Sequence, residues 1–469
     1  MRSGIAGRLS RRQSLASPGS HAKSGDGLSL VIENATVVTM NAAREVLRGV
    51  DVLIEDGRIA RIGRNLRAGK RPRQTLDASG CVVIPGFVHG HLHACQTLLR
   101  NRADGLELLD WLRERIWPME AAHDFASMRA SADLTFAELI RGGSTAALDM
   151  GTVRHTDAIF ESARDCGFRL TGGKAMMDAG QGVPAGLRES TKASIDESLR
   201  LIRDWHLSEG GRLRYAFAPR FVLSCTEELL REVAAQAKAL GVRIHTHASE
   251  NATECDLVRQ RTGRDNVEYF HDLGVSGKHV TFAHCVWLTA KEQRLLRETG
   301  TVVCHCPSSN LKLASGVARI PELLADRVQV CLGADGAPCN NNLDMFVEMR
   351  LAALIHKPRT GPTSMSAQQV LEMATLGGAR ALGLEDELGS IEPGKRADLA
   401  VLELDCPHST PGGEDVVSQI VYSAQSQNVR DVLIDGRVVM RDRTLRTLDL
   451  DAVLEAARTH AQRIADAVA

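Results

Sequence analysis

The chain has 469 residues, of which 25% are charged and 43% hydrophobic, and its formal net charge is −1 at pH 7. This length exceeds an ordinary single domain, and the balanced charge gives no reason to expect a nucleic acid or an anionic membrane as a partner. No apolar run approaches the roughly 20 residues that a membrane-spanning helix needs. The eleven cysteines are odd in number and scattered, several of them within apolar runs, which indicates the reducing cytoplasm.

The first 27 residues differ in composition from the rest of the chain. They are rich in Ser, Gly and Arg and contain a single acid, Asp26. An organelle transit peptide is one interpretation, although the apolar core of a secretory signal is missing. We expect residues 1–27 to form a disordered extension, because a polar stretch with clustered charge does not support a packed core.

Two β-rich segments lie at opposite ends of the chain. LSLVIENATVVTM is followed by DVLIEDGRIARIG, and towards the other end ADLAVLELD is followed by DVLIDGRVVM. Asp56-Gly57 and Asp435-Gly436 supply the positive φ angles that a tight hairpin turn requires. We predict that residues 28–84 and 390–445 join in one small composite β-sandwich domain, rather than forming two unrelated hairpins.

Between these ends, strand-like apolar runs alternate with amphipathic helices. The strand candidates are CVVIPGFV, STAALDM, FRLTGGKAMM, LRYAFAPRFV, VRIHTHAS, HVTFAHCV, TVVCHCP and VQVCLGAD. Helical stretches such as TEELLREVAAQAKAL lie between them, with apolar residues at helical spacing. Eight strands, each followed by a helix, predict an α/β fold with a (β/α)₈ TIM barrel over residues 85–389, and residues 446–469 are expected to form a C-terminal helix.

Metal-binding side chains are concentrated at the carboxyl ends of these predicted strands, where such barrels carry their active sites. The first strand ends in HGHLH (89–93), the fifth in HTHASE (245–250), the sixth in AHC (283–285) and the eighth in GADG (333–336). Residues i and i+2 share one face of a strand, so His91 and His93 can point together, although spacing alone does not exclude His89 or His245. Imidazole and carboxylate donors suit a divalent ion, zinc first and iron second.

Several long motifs resemble the amidohydrolase superfamily, in the branch of methylthioadenosine/S-adenosylhomocysteine deaminases and 5′-deoxyadenosine deaminases. The resemblance runs from about Pro85 to Asp405. The matching motifs are PGFVHGHLHACQTLLRNRADGLELLDWLRERIWPMEAAHD, HTHASE, AHCVWL, HCPSSNLKLASG, GADGAPCNNNLDMFVEMR and GSIEPGKRADLAVLE.

The resemblance implies one divalent metal ion, Zn²⁺ or alternatively Fe²⁺, with four ligands: His91, His93, His247 and Asp335. His247 is preferred over His245 because the family motif has a glutamate three positions after the ligand, and that position is Glu250 here. His89 and His245 are then expected to hydrogen-bond or pack around the site. Branches with two metal ions need a bridging lysine near the fourth strand; LRYAFAPRFV has none, and Lys174 falls on the third.

The resemblance also implies a mechanism for removing the amine from a purine ring. A divalent metal ion lowers the pKa of a bound water from about 15.7 towards 7. Asp335 would accept a proton from that water and pass it to the departing amine, while His284 holds the water or the developing oxyanion. Glu250, protonated, would donate a proton to the ring nitrogen beside the reacting carbon.

Three residues are expected to bind the substrate besides Glu250. Glu120 matches the glutamate with which the resembled deaminases hold the ribose hydroxyls; without that context it would be interpreted as an acid on a helix surface. Arg220 stands where methylthioadenosine deaminases usually carry a histidine, which favours the 5′-deoxyadenosine subgroup. Trp111 either lines the pocket or packs its own helix.

We therefore expect metal-dependent hydrolytic deamination of an adenine nucleoside: 5′-deoxyadenosine, methylthioadenosine, S-adenosylhomocysteine or adenosine. The partners expected are this purine nucleoside substrate and further copies of the chain in a homo-oligomer, with no nucleic acid and no membrane. The alternative is a deaminase or hydrolase of another N-heterocycle, such as 8-oxoguanine, guanine or an s-triazine. A non-enzymatic scaffold and a purine-binding module without turnover are also considered, and the complete ligand set with Glu250 argues against the scaffold.

Overall fold

The computed structural model describes residues 29–66 and 74–468. The extension predicted for residues 1–27 lies outside the described residues. The strands, in chain order, are β1 (Ser29–Val38), β2 (Val46–Glu55), β3 (Arg58–Gly63), β4 (Gln74–Asp77), β5 (Cys81–Pro85), β6 (Phe87–Leu92), β7 (Ser144–Met150), β8 (Arg169–Gly173), β9 (Ala175–Met176), β10 (Leu213–Pro219), β11 (Arg243–Ala248), β12 (Val280–His284), β13 (Val302–His305), β14 (Val330–Leu332), β15 (Leu399–Glu403), β16 (Val429–Ile434), β17 (Arg437–Arg441) and β18 (Thr444–Leu445).

The two ends of the chain build one sheet together. Its order is β18-β17-β16-β15-β5-β1-β2-β3, with β4 beside β1, and β15 from the end of the chain pairs antiparallel with β5 from the start. Both predicted hairpin turns are present, with φ of 49° and 79° at Asp56 and Gly57 and of 49° and 71° at Asp435 and Gly436. The turns pack on each other so closely that a Cβ on Gly436 would lie 3.0 Å from the Cα of Gly57. The predicted association of the two ends in one β unit is confirmed.

The middle of the chain forms a parallel barrel. Its strands follow the order β14-β13-β12-β11-β10-β8-β7-β6, with β9 beside β10. The barrel closes between its last and first strands, where Leu92 bridges Asp335 and the Asp335 backbone N–H donates to the His91 carbonyl over 3.3 Å. The predicted TIM-barrel fold is confirmed, and the closure itself places the aspartate after β14 next to the histidines of β6.

The run CVVIPGFV, expected to be one strand, is divided between the two sheets. Pro85 ends β5, pairing with Leu399, and β6 begins at Phe87. At the junction the N–H of Gly86 donates to the Asp398 carbonyl over 2.9 Å, and the N–H of Phe87 donates to the Gly143 carbonyl over 3.1 Å. A glycine occupies position 86 because a Cβ there would lie 2.2 Å from the side chain of Thr145. Because the run is apolar throughout, its sequence pattern does not mark the boundary between β5 and β6, which depends on contact with other strands.

Helices connect the strands and pack around the barrel. They are α1 (Leu108–Trp111), α2 (Trp117–Ala121), α3 (Phe125–Arg141), α4 (Thr156–Cys166), α5 (Thr191–Trp205), α6 (Ser208–Gly211), α7 (Glu227–Leu240), α8 (Ala252–Thr262), α9 (Asn266–Asp272), α10 (Ala290–Thr299), α11 (Pro307–Lys312), α12 (Ile320–Ala325), α13 (Ala337–Asn340), α14 (Met345–Leu354), α15 (Lys357–Thr360), α16 (Ala367–Glu372), α17 (Gly378–Leu382), α18 (Val416–Tyr422) and α19 (Leu450–Val468). No helix within residues 29–66 and 74–468 combines the length and apolar character needed to cross a membrane.

Helix α7 illustrates why these segments fold as they do. Its buried residues Leu229, Leu230, Val233 and Ala237 recur at helical spacing and form the stripe that packs on the barrel. Thr226 caps its start by accepting a hydrogen bond from a backbone N–H of the first turn. Gly241, at φ 67°, ends the helix in the left-handed conformation that a glycine adopts without strain.

Candidate active site

Four side chains meet at the carboxyl end of the barrel, and they are the four expected to bind a metal ion. They are His91, His93, His247 and Asp335, and their ligand atoms all lie within 4.8 Å of one another. His91 and His93 come from the end of β6, His247 from β11, and Asp335 follows β14. The strands thus bring together residues that are up to 244 positions apart along the chain (335 − 91).

Backbone carbonyls orient two of the three histidines through their Nδ1 atoms. His93 Nδ1 lies 2.7 Å from the Met150 carbonyl, and His247 Nδ1 lies 2.6 Å from the Arg220 carbonyl. A carbonyl only accepts, so both rings carry their proton on Nδ1 and present an unprotonated Nε2.

The facing Nε2 atoms provide a test of whether this cluster fits a cation. Those of His93 and His247 lie only 3.2 Å apart, although neither carries a proton to donate to the other. His91 Nε2 is buried without a hydrogen-bond partner and lies 3.1 Å from Asp335 Oδ1. Lone pairs that converge on a carboxylate in this way suit a divalent cation, so the donor set fits the expected metal.

The protonation states favour the same interpretation. Burial lowers the pKa of His93 to about 3 and holds the pKa of His247 well below its usual range, so both rings are neutral. Burial alone would raise the pKa of Asp335, but the adjacent His91 and His284 hold it well below its usual range. Neutral imidazoles and an ionised carboxylate are the forms that bind metal.

Glu250 and His284 lie beside this cluster. Burial raises the pKa of Glu250 to about 7, and its Oε1 is buried without a hydrogen-bond partner. His284 Nε2 lies 3.4 Å from Glu250 Oε2 and 3.8 Å from Asp335 Oδ2. Burial disfavours a charge on His284, but these two carboxylates outweigh it and raise its pKa. An acid near neutrality and a readily protonated imidazole therefore face the same space.

Two neighbours of these groups were not predicted. Ser309 donates a hydrogen bond to Asp335 Oδ2 over 2.6 Å, and Asn310 Oδ1 lies 2.9 Å from His284 Nδ1. Both belong to the HCPSSN motif, which was recognised as a family motif but assigned no role. Ser309 orients the carboxylate, and Asn310 fixes His284 with its Nε2 towards the cavity.

Several strand ends at the site have unusual backbone conformations. Ser249, His284, Cys285 and Asp335 all have positive φ, between 48° and 73°. Residues other than glycine adopt this region at a cost, and such residues are concentrated at functional sites. These conformations redirect the chain at the end of β12 and shortly after β11 and β14, where the side chains enter the site.

A cavity opens beside the cluster. Its polar lining includes Gln96, Arg220, Glu250 and His284, and its apolar lining is formed by Leu108, Trp111, Leu112, Phe221 and Leu313. Trp111 lies on the cavity wall, and its role in binding a substrate stays a prediction. The lining residues that were not predicted include Gln96, Leu108, Leu112, Phe221 and Leu313.

Glu120 is buried and ion-paired, so it is not an acid on a helix surface. Its side chain has 0% exposure, and Arg220 Nη1 donates to its Oε2 over 2.6 Å. Gln96 Nε2 donates to Glu120 Oε1 over 2.8 Å. Arg220 and Gln96 line the cavity, and Glu120 lies behind them.

The three alternatives, Lys174, His89 and His245, are not part of the four-residue cluster. Lys174 is fully buried away from the cluster, where its Nζ contacts Glu189 and donates to Ser194 Oγ over 3.2 Å. His89 Nε2 lies 2.9 Å from Ser144 Oγ, and His245 Nε2 lies 2.8 Å from His91 Nδ1.

Together, the parallel barrel and the cluster of three histidines and one aspartate define a metal-dependent barrel hydrolase. Residues 82–439 match the amidohydrolase family, and the chain belongs to this family. It is 37% identical to a 5′-deoxyadenosine deaminase from Methanosarcina acetivorans, over 93% of this chain and 98% of the relative. It is 38% identical to a 5-methylthioadenosine/S-adenosylhomocysteine deaminase from Moorella thermoacetica, over 90% of this chain and 97% of the relative.

Among solved structures, the chain is similar to an adenosine deaminase from Xanthomonas campestris with bound zinc. The TM-score is 0.87 and the identity 32%, covering 93% of this chain and 98% of that structure's chain. The resemblance on which the expected site residues depend is thus supported by the fold as well as by sequence.

Proposed function

We propose that the chain catalyses the hydrolytic deamination of an adenine nucleoside to the inosine analogue and ammonia. The observation that carries this proposal is Glu250, a buried carboxyl group on the cavity wall with an unpartnered oxygen and a pKa raised to about 7. Water displaces a purine amine only if the ring can accept electrons, and a protonated carboxyl group makes the ring electrophilic by protonating it. The adenine nucleosides named for the relatives and the zinc-bound neighbour support this substrate class.

The site is proposed to hold one divalent ion, Zn²⁺ in preference to Fe²⁺. The ligands would be the Nε2 atoms of His91, His93 and His247 and a carboxylate oxygen of Asp335. When bound, such an ion lowers the pKa of a coordinated water towards about 7, which makes a nucleophile available at neutral pH. Elemental analysis is expected to find about one divalent ion per chain; two tightly held ions would contradict the ligand set.

The side chains around the ligands would move and hold protons. Asp335 Oδ2, which accepts a hydrogen bond from the Ser309 hydroxyl, would take a proton from water and return it to the departing amine. His284, whose raised pKa favours the form with two N–H donors, would donate from Nε2 to the water oxygen or to the developing oxyanion. Glu250 would donate its proton to the ring nitrogen next to the reacting carbon.

The cavity offers an apolar slot for the purine. Leu108, Trp111, Leu112, Phe221 and Leu313 provide apolar lining, and a planar base buries well against such side chains. All eleven cysteines are free thiols, which supports a reducing compartment such as the cytoplasm for the enzyme.

An ammonia-release screen tests the proposal. The substrates are adenosine, 5′-deoxyadenosine, methylthioadenosine, S-adenosylhomocysteine, guanine and 8-oxoguanine. We expect release from the adenine nucleosides with kcat/KM in the enzymatic range of about 10⁴ M⁻¹s⁻¹ or more. Preference for guanine or 8-oxoguanine over every nucleoside would favour the N-heterocycle alternative.

A further inference from the structure

A second cavity, called here the side cavity, lies between α3, α19 and the turn that joins β17 to β18. Its volume is about 410 Å³, within the range of about 300–1,000 Å³ that is typical of small-molecule pockets. It shares no described residue with the active-site cavity. Its larger apolar lining residues are Leu134, Leu343, Leu450 and Leu454, and its charged lining residues are Arg100, Glu138, Arg141, Asp344 and Arg443.

Two half-buried arginines bring like charges to this cavity. Arg141 is the last residue of α3, and its Nη1 donates to the backbone carbonyl of Arg443 over 3.0 Å. Arg443 Nη1 donates to the carbonyls of Ser426 and Val429 over 2.7 and 2.8 Å. Burial and the nearby charge of Arg141 lower the pKa of Arg443. Backbone carbonyls thus hold both side chains in place, but they do not neutralise the two charges.

The two carboxylates of the side cavity are engaged by other groups. Glu138 forms an ion pair with Arg100, and Asp344 accepts a hydrogen bond from the Phe346 backbone N–H over 2.9 Å at the start of α14. Among residues 29–66 and 74–468, the guanidinium groups of the other two arginines have hydrogen bonds to carbonyls but no ion-pair partner. Three guanidinium groups and two carboxylates line the cavity, so one positive charge is left uncompensated.

The turn that carries Arg443 has a conformation that a glycine adopts at lower cost. Asp442 and Arg443 are the two residues between β17 and β18, and their φ angles are 48° and 59°. Residues other than glycine and asparagine are uncommon in such turns, because the left-handed region is sterically unfavourable for them. The turn therefore holds an arginine against the end of α3 in spite of its backbone conformation and the charge of Arg141.

We infer that the side cavity binds a small organic anion, whose phosphate or carboxylate group lies between Arg141 and Arg443 and whose apolar portion packs against Leu450 and Leu454. Guanidinium groups bind both kinds of anion through paired N–H donors. A phosphate monoester and a carboxylate share this chemistry and are distinguished by the choice of probe. Because the two cavities have no described lining residue in common, the inference is independent of the proposed deaminase function.

The bound anion is expected to stabilise the folded chain. It would contact α3, α19 and the β17–β18 turn at once, and so connect the barrel, the C-terminal helix and the composite sheet. A ligand that binds only the folded state raises the melting temperature as its concentration increases. The melting temperature is therefore a readout that does not require turnover.

The first experiment measures binding to the metal-loaded full chain by isothermal titration calorimetry. The probes are phenyl phosphate, benzoate and the neutral benzyl alcohol. We expect at least one of the two anions to bind about tenfold or more tightly than benzyl alcohol, since a hydrogen bond to a charged group contributes a factor of this size. Preference for phenyl phosphate would assign the site to phosphate monoesters, and preference for benzoate to carboxylates. Binding of neither anion, or equal binding of benzyl alcohol, would overturn the inference.

The second experiment locates the anion. Arg141→Met is expected to weaken binding about tenfold or more and to remove the anion-dependent rise in melting temperature. Arg446→Met is the matched control, because Arg446 follows the same turn but is exposed and does not line the side cavity. Equal affinity in the parent and Arg141→Met would show that the anion binds elsewhere, for example at the proposed metal site, and would overturn the inference.

A further pair of variants keeps both arginines. Leu454→Glu introduces a carboxylate on the cavity wall and should abolish anion binding, whereas Leu454→Gln has a similar shape without the charge and should retain it. Equal binding in these two variants would contradict a site whose charge attracts the anion. The melting temperature of each variant without a probe reports whether it is folded.

An acidic surface of a second copy of the chain is the alternative occupant of the side cavity. It would give a dimer in the parent that dissociates in Arg141→Met, with no binding of phenyl phosphate or benzoate, as measured by sedimentation velocity and calorimetry. That result would replace the anion site by a subunit interface.

Discussion

His245 Nε2 lies 2.8 Å from His91 Nδ1 in the barrel interior, two residues before the proposed ligand His247 on the same strand. This contact orients the His91 ring so that its Nε2 faces the metal cluster. Partners of this kind typically contribute ten- to a hundredfold in metal affinity. We predict that His245→Phe weakens metal binding by about that factor, measured by competition with a chelator of known affinity. His89→Phe is the matched control on β6, because His89 contacts Ser144 rather than a proposed ligand. Equal losses of metal affinity in both variants would show that His245 acts through packing and not through its contact with His91.

Glu250→Gln is predicted to keep the metal and lose most of the deaminase activity. The amide has the shape of the carboxyl group but no transferable proton, and general acid–base groups typically contribute about 10²–10⁴-fold. Steady-state ammonia release and elemental analysis measure the two quantities. Glu348→Gln is the control, because Glu348 is also buried with a pKa raised to about 7 but hydrogen-bonds Ser308 and Asn340. Activity of Glu250→Gln within a few-fold of the parent would make Glu250 a structural residue.

The pH profile follows from the same carboxyl group. The proposed proton donor must be protonated, and burial raises its pKa to about 7, so the competent form prevails below that pH. We predict that kcat/KM falls on the alkaline side with a midpoint near the pKa of Glu250 in the free enzyme, approaching about tenfold per pH unit. The residual activity of Glu250→Gln should lack this descending limb. A profile that only rises between pH 6 and 9 would contradict the assignment of Glu250 as the acid.

The metal ligands were easier to predict than the residues that line the proposed substrate cavity, for a physical reason. Strand periodicity and the rule that barrel sites lie at carboxyl strand ends bring His91, His93 and Asp335 to one region without knowledge of any contact, and the family resemblance then implies that these residues, rather than His89 or His245, are the ligands. The role of Glu120 depends instead on Arg220, 100 residues further along the chain, whose guanidinium turns the carboxylate inward. A pattern of neighbouring residues in the sequence cannot predict a pairing between two residues so far apart.

The fold likewise has features that local sequence predicts and features that depend on long-range contacts. The two Asp-Gly turns and the alternating strands and helices are local signals, and both gave correct elements. The break between β5 and β6 was missed because CVVIPGFV is uniformly apolar and buried on both sides of it. The break follows from a change of hydrogen-bond partner, because the N–H of Gly86 donates to Asp398 beside the composite sheet and the N–H of Phe87 donates to Gly143 beside the barrel.

An ion pair between the barrel and the composite sheet is predicted to be a main determinant of stability. Arg169 on β8 donates from Nε and Nη2 to the two oxygens of Asp398 over 2.7 and 3.0 Å, and both side chains are 3% exposed. Arg169→Met leaves Asp398 buried without its countercharge, a loss that typically costs about 3–5 kcal/mol. The fall in melting temperature measures it. The double variant Arg169→Met/Asp398→Asn should recover part of the lost melting temperature. If it melts as low as Arg169→Met alone, Arg169 stabilises the protein through packing and not through the ion pair.

Gly90, between His89 and His91, is predicted to tolerate no side chain. A Cβ there would lie 2.3 Å from Cys331 Sγ and 3.1 Å from Cys304 Sγ, inside a closely packed barrel. Overpacking of this kind typically costs about 1–3 kcal/mol, so Gly90→Ala should lower the melting temperature. It should also weaken metal binding, because the displaced backbone carries His91.

Cys331→Ala removes the nearer sulfur and leaves the Cβ introduced at position 90 at 3.4 Å from the remaining methyl group, so the double variant Gly90→Ala/Cys331→Ala should regain most of the metal affinity. Cys331→Ala alone is the control for the cavity it creates. Parent-like stability and metal affinity in Gly90→Ala would mean that the strand can shift away from the thiols, and that the positions of the β6 histidines do not depend on this contact.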